Sequence, residues 1–93
     1  MQFELGVLTI VRRGVNLTFS QVAILAECNV RKRTVKDLSE RLGLSRSAVV
    51  KAVNRLEHEI QPPLVERTAN FSDARSIFVN LTSDGEAFIR PFL

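Results

Sequence analysis

The stretch LSRSAVVKAVNRLE, Leu44–Glu57, decides how the rest of the chain is read. Ser45 is a natural N-cap, since its hydroxyl can accept a bond from a first-turn N–H, and neither glycine nor proline interrupts the residues that follow. At about 100° per residue, Val49, Val53 and Leu56 fall on one side with Ala52 beside them, and Ile60 extends the stripe. Ser47, Lys51, Asn54 and His58 point the opposite way, with Val50 and Arg55 on the flanks. The spacing predicts a helix from Ser45 to about Ile60, because Pro62 cannot continue it and disfavours a helical Gln61.

Two shorter helices are expected upstream. Thr18 with Gln21 reads as a capping box that opens a helix carrying Val22, Leu25 and Ala26 on one stripe and ending near Asn29. Thr34 with Asp37 opens another through Leu42, which Gly43 closes in the left-handed conformation. The segment Gln2–Arg13 places Phe3, Val7, Ile10 and Val11 near one face and is expected to be helical as well. Beyond the prolines the period changes to two. Leu64–Thr68 and Ser76–Leu81 read as strands joined by the turn-prone residues Ala69 to Asp73, with Ile77, Val79 and Leu81 on one strand face and Phe78 and Asn80 on the other. Thr82 or Ser83 can cap a last short helix, with Glu86 placed to reach back. Two helices joined through LGLS, with a hairpin following the second, describe a winged helix-turn-helix: mainly α with a small β-hairpin.

The composition fits this plan. Ninety-three residues, 45% hydrophobic and 25% charged, allow one small folded domain over residues 1–93, with residues 1–16 as a helix suited to a dimer contact and residues 83–93 as the terminal helix. No apolar run approaches the roughly 20 residues that cross a bilayer, so no membrane association is expected, and the cytoplasm is the expected compartment. Cys28 is the single cysteine and His58 the single histidine, which leaves no internal disulfide and no ordinary four-ligand zinc set; no cofactor is expected. Cys28 ends an apolar helical pattern and reads as a packed side chain. No serine, cysteine or acid comes with the partners that nucleophilic or acid–base chemistry requires, so an enzyme is not expected. The net charge of +3 is concentrated: residues 28–60 hold eight Lys and Arg against four acids. Such a local surplus suits a polyanion.

The outer row of the Leu44–Glu57 helix sharpens that reading. Serine and asparagine are poorer helix formers than alanine by roughly half a kcal/mol, so a row built from them is unusual for a merely solvated face. Asparagine can pair with adenine in two bonds, lysine can reach guanine acceptors or phosphate, serine can bond either, and a major groove about 12 Å wide admits one helix. The first turn, at Ser45, Arg46 and Ser47, also offers unpaired backbone N–H groups to a phosphate. Arg46 and Arg55 are therefore expected on the DNA backbone, and Lys51 and Asn54, with Ser47 and Val50, on bases. His58 lies a full turn further along and is expected to be an exposed polar residue. Near the hairpin tip, Arg75 suits the narrow minor groove, with the carboxylate of Asp73 placed to hold it.

With these residues together, the chain resembles the MarR family of bacterial winged-helix transcription regulators over Leu17 to about Phe88. The matching stretches are LTFSQVAIL, TVKDLSERLGLSRSAVVKAVNRLE, LVER and DARSIFVNLTSDGEAF, of which the Asp-x-Arg-Ser wing running into Leu-Thr-x-x-Gly is the most specific. The resemblance implies a recognition helix at Ser45–Glu57 in the major groove, Arg75 in the minor groove supported by Asp73, and a homodimer on a pseudo-palindromic site of double-stranded DNA. Two features depart from the family. The link EHEIQPPLVER is longer than usual and has two prolines in place of a glycine. About sixteen residues precede the match and five follow it, short for helices that form the dimer and enclose ligands, so a small-molecule ligand is not expected. The rival expectations are a winged-helix protein-interaction module, docking through the first helix and Phe88, Ile89 and Phe92, and an accessory DNA-binding factor in replication or recombination of a mobile element.

Overall fold

The computed structural model describes residues 17–73 and 75–93; the expected helix at Gln2–Arg13, and any dimer contact it makes, lies outside them. Helix α1, Phe19–Val30, opens as its sequence dictates. Thr18 Oγ1 accepts the N–H of Gln21 at 3.2 Å, and Gln21 Oε1 accepts that of Thr18 at 3.0 Å. Ile24, Leu25 and Cys28 are buried, and Val22 and Ala26 pack against them as partly covered residues. Burial pushes the Cys28 thiol up to about 12, the behaviour of a packed side chain rather than a nucleophile.

Helix α2, Val35–Leu42, carries the same reciprocal cap at Thr34 and Asp37, with bonds of 3.0 and 3.2 Å. Gly43 closes it at φ 67°, and the turn is tied by Ser39, whose carbonyl accepts the N–H of Leu44 at 3.1 Å and whose Oγ donates to the Leu44 carbonyl at 2.6 Å. Helix α3 follows at Arg46–Asn54 and runs on through a wider π-helical turn, Arg55–Glu59. The predicted apolar stripe is its buried side: Val49, Ala52, Val53, Leu56 and Ile60 are all in the core. The helix stops one residue short of Ile60.

The two predicted strands form, each within a residue of expectation, as β2 (Val65–Ala69) and β3 (Ile77–Leu81), with Val65 opposite Leu81 and Ala69 opposite Ile77. The sheet is larger than the expected hairpin. A two-residue strand β1, Arg33–Thr34, pairs antiparallel with the far edge of β3, giving the order β1-β3-β2. On β3 only Val79 is buried; Leu81 is half-buried, and Ile77, expected on the same face, is exposed where the wing leaves the core.

Helix α4, Ser83–Ile89, is capped by Thr82, whose Oγ1 accepts the N–H of Gly85 at 3.0 Å. The third helical position is thus Gly85, and the reach-back expected of Glu86 does not form. The link before the wing is strapped to this cap: Thr82 donates through Oγ1 to the Pro63 carbonyl at 2.6 Å and through its N–H to the Leu64 carbonyl at 3.1 Å. Leu64 in turn donates its N–H to Leu56 at 3.0 Å. The Gln61–Pro62 peptide within the link is cis. Helix α4 lies so close to the link that a Cβ on Gly85 would stand 2.0 Å from the Leu64 carbonyl oxygen. Phe88 and Ile89, expected on a docking surface in the rival reading, have no exposed area; they complete the core, with Phe92 half-buried and its ring stacked on Phe88. No described helix is long and apolar enough to cross a membrane.

Candidate nucleic-acid interface

Ser45 Oγ accepts the N–H of Ala48 at 3.1 Å, so the cap read from the sequence is present. It leaves the N–H groups of Arg46 and Ser47, the first two helical positions, with no carbonyl a turn earlier to bond. Ser45, Arg46, Ser47, Val50, Lys51 and Asn54 are all exposed along the outer side of α3, while Arg55 is half-buried. His58 is exposed, as expected, and its Nε2 lies 3.0 Å from Glu57 Oε1.

Arg46 and Val50 form one wall of an open cleft of about 350 Å³, whose other walls come from Lys36 on α2 and from Arg67 and Arg75 on the wing. Four cations from three elements therefore ring one depression with an apolar floor that includes Val53 and Val79. Arg55 belongs elsewhere: with Lys51 and Glu59 it lines a shallower depression against Thr18 and Ser20 at the start of α1. The structure thus brings Arg46, Val50 and Arg75 to one cleft, sets Ser45, Ser47, Lys51 and Asn54 along the exposed ridge beside it, and separates Arg55 from the wing.

At the wing tip, Asp73 Oδ1 accepts the backbone N–H of Arg75 at 3.0 Å and stands 3.8 Å from its Nε. The turn is braced further by Asn70, which accepts the N–H of Ser72 at 3.0 Å and donates through Nδ2 to Ser76 Oγ at 2.8 Å. Arg75 itself is 95% exposed, so its guanidinium is presented rather than packed.

Two residues of the site escaped the sequence reading. Lys36 sits on α2, a helix from which no contact residue was expected. Arg67 was noted only within LVER, yet its Nη2 donates to Asn54 Oδ1 and its Nε lies 2.8 Å from Glu57 Oε1. The period-two pattern of β2 placed Arg67 on a strand; only the fold shows that the strand crosses the end of α3.

The positive surplus is also redistributed. Arg33, buried, and Arg41 both face Glu27: Arg41 Nε donates to its carboxylate, and Arg33 Nη2 lies 4.0 Å away. The hydrogen bond from Arg41 holds the Glu27 carboxyl below its usual range, against the opposing effect of burial. Lys32 stands 4.4 Å over the Phe78 ring. Lys36, Arg46 and Lys51, by contrast, line the two depressions on the side of α2 and α3 described above.

A model of the MarR family matches residues 15–59. Among solved structures, the transcriptional regulator Tm0710 from Thermotoga maritima is 28% identical with a TM-score of 0.81, covering 99% of this chain and 62% of its own. The YusO protein from Bacillus subtilis is 26% identical with a TM-score of 0.77, covering 98% and 62%. The transcriptional regulator BldR from Sulfolobus solfataricus is 28% identical with a TM-score of 0.73, covering 80% and 51%. The chain therefore spans between about half and under two thirds of these proteins. No curated protein sequence matches it. With the capped helices of the helix-turn-helix inside the family match and the fold shared with those structures, the chain is similar to the MarR family of winged helix-turn-helix proteins.

Proposed function

We propose that this chain binds double-stranded DNA and regulates transcription by occupying a promoter, with α3 in the major groove and the wing in the minor groove. The observation that carries the reading is the pairing of an exposed row of short polar side chains on α3 with a cleft ringed by Lys36, Arg46, Arg67 and Arg75. Lys51 and Asn54, with Ser47 and Val50, reach base edges. Arg46 and Arg55 hold phosphates on either side of the helix, the first from the wing cleft and the second from beside α1. Arg75 enters the minor groove on a turn that Asp73 keeps in shape. As in the family, a homodimer would set two such helices on a pseudo-palindromic site. Burial of Phe88 and Ile89 weakens the rival protein-docking surface.

The test is binding to duplex DNA across a salt series. Contacts to several phosphates should lower affinity about 10³-fold or more between roughly 50 and 200 mM salt. Asn54→Ala should cost about 1 to 3 kcal/mol and relax preference at one base position, whereas Arg46→Ala should weaken all sequences alike. Absence of binding at low salt, or equal losses across every site variant for Asn54→Ala, contradicts the reading.

A further inference from the structure

Arg67 projects from the first strand of the wing, but its guanidinium ends on the recognition helix, bonded to the Asn54 amide oxygen through Nη2 and 2.8 Å from Glu57 Oε1 through Nε. Asn54 and Glu57 are three residues apart and so are neighbours on the helix surface, which lets one planar fork span both. A guanidinium carries donors only. The end of Asn54 that faces it is therefore the oxygen, and flipping the amide would set an NH₂ against another donor. An exposed asparagine elsewhere would rotate freely about its last torsion and offer either end. Glu57 is well covered, and its charge keeps the Arg67 fork in place.

Resting on the base-reading role of Asn54, we propose that Arg67 is a positioning residue that sets which base Asn54 reads. With its oxygen committed to the wing, Asn54 reads through the N–H donors of Nδ2. That suits base edges offering acceptors, the N7 and O6 of guanine or the O4 of thymine, over adenine, whose two-bond pairing needs the amide oxygen as well. The wing thus contributes to major-groove specificity without touching a base there.

The experiment compares wild type, Arg67→Lys, Glu57→Ala and Asn54→Ala on four duplexes that differ only at the base pair Asn54 reads. Lysine keeps the charge but cannot span both partners. Arg67→Lys and Glu57→Ala should each shift preference toward adenine at that position by about tenfold, and neither should have this effect in the Asn54→Ala background. A loss shared equally by all four duplexes would make Arg67 a phosphate contact and overturn the proposal, as would independent effects of Arg67→Lys and Asn54→Ala. Without DNA, NMR relaxation of the Asn54 side-chain amide should show an ordered group in the wild type that loosens in both wing-contact variants; equal mobility in all three also overturns it. An ordered amide in a protein that binds no duplex at low salt would instead defeat the DNA reading, and the specificity role with it.

Discussion

Replacing Gly85 with alanine sets two physical effects against each other, and their sizes predict the outcome. Gly85 lies inside α4, where alanine is the better helix former by about 1 kcal/mol, so local propensity alone predicts a more stable protein. The new Cβ would stand 2.0 Å from the backbone oxygen of Leu64, against an ordinary carbon–oxygen contact of about 3.3 Å. The link or the helix must therefore yield by about 1.3 Å. Leu64 is buried, and its carbonyl accepts the Thr82 N–H, so moving it strains packed side chains and pulls apart the strap between link and cap. Overpacking of this kind costs about 1 to 3 kcal/mol, and a buried bond left unmade a further 1 to 3 or so. Subtracting the propensity gain leaves a net loss of roughly 1 to 5 kcal/mol, which for a domain of this size lowers Tm by roughly 4 to 40 °C. Urea denaturation followed by circular dichroism measures it directly, with an unchanged m-value expected because the same surface is exposed. A variant as stable as wild type, or more so, would refute the reasoning and show that α4 is not pressed against the link.

Gly43→Ala tests a different cost: nothing lies within 4 Å of a Cβ there, so the loss should be the backbone penalty of φ 67° alone, about 1 to 2 kcal/mol, with Gly43→Asn closer to wild type. Equal stability of all three by urea denaturation would contradict it. Glu27→Gln should destabilise by about 1 to 2 kcal/mol near neutral pH by removing the negative charge shared by Arg41 and the buried Arg33 while leaving an amide oxygen in its place. Because the Glu27 pKa is lowered from 4.5, its contribution is complete above that value and fades as pH falls through the folded value, so the two proteins should converge in acid; a difference independent of pH would rule the ion pair out as its source. Arg75→Ala should weaken sites with A·T-rich flanks most, measured by competition between flank variants, and an unchanged flank preference would remove the wing from the minor groove.

Local signals were legible wherever the chemistry is local. The caps at Thr18, Thr34 and Ser45, the left-handed Gly43 and the stripe from Val49 to Ile60 all follow from spacing within a few residues, and all stand in the structure. Strand β1 was not legible, because two residues cannot show a period and its members are an arginine and a threonine already assigned as a cap. The burial of Phe88 and Ile89 was missed for a similar reason: a helix of seven residues makes too few turns to show which face is apolar. The cluster of Arg67 with Asn54 and Glu57 joins groups up to thirteen positions apart on a strand and a helix, and only their crossing brings them together. The charge surplus was visible as a count, but its cancellation at Glu27 depended on α1 packing beside Arg33 and Arg41.

Thr34 starts α2 with its side chain and, in the same residue, hydrogen-bonds along β3 opposite Phe78. One amino acid thus rivets the fixed jaw of a caliper to its sliding one, and the sliding one no longer slides. The span between the wing tip and α3 becomes a property of the chain, so that, on the DNA-binding role proposed above, duplexes with unsuitable groove widths would themselves have to deform to be gripped.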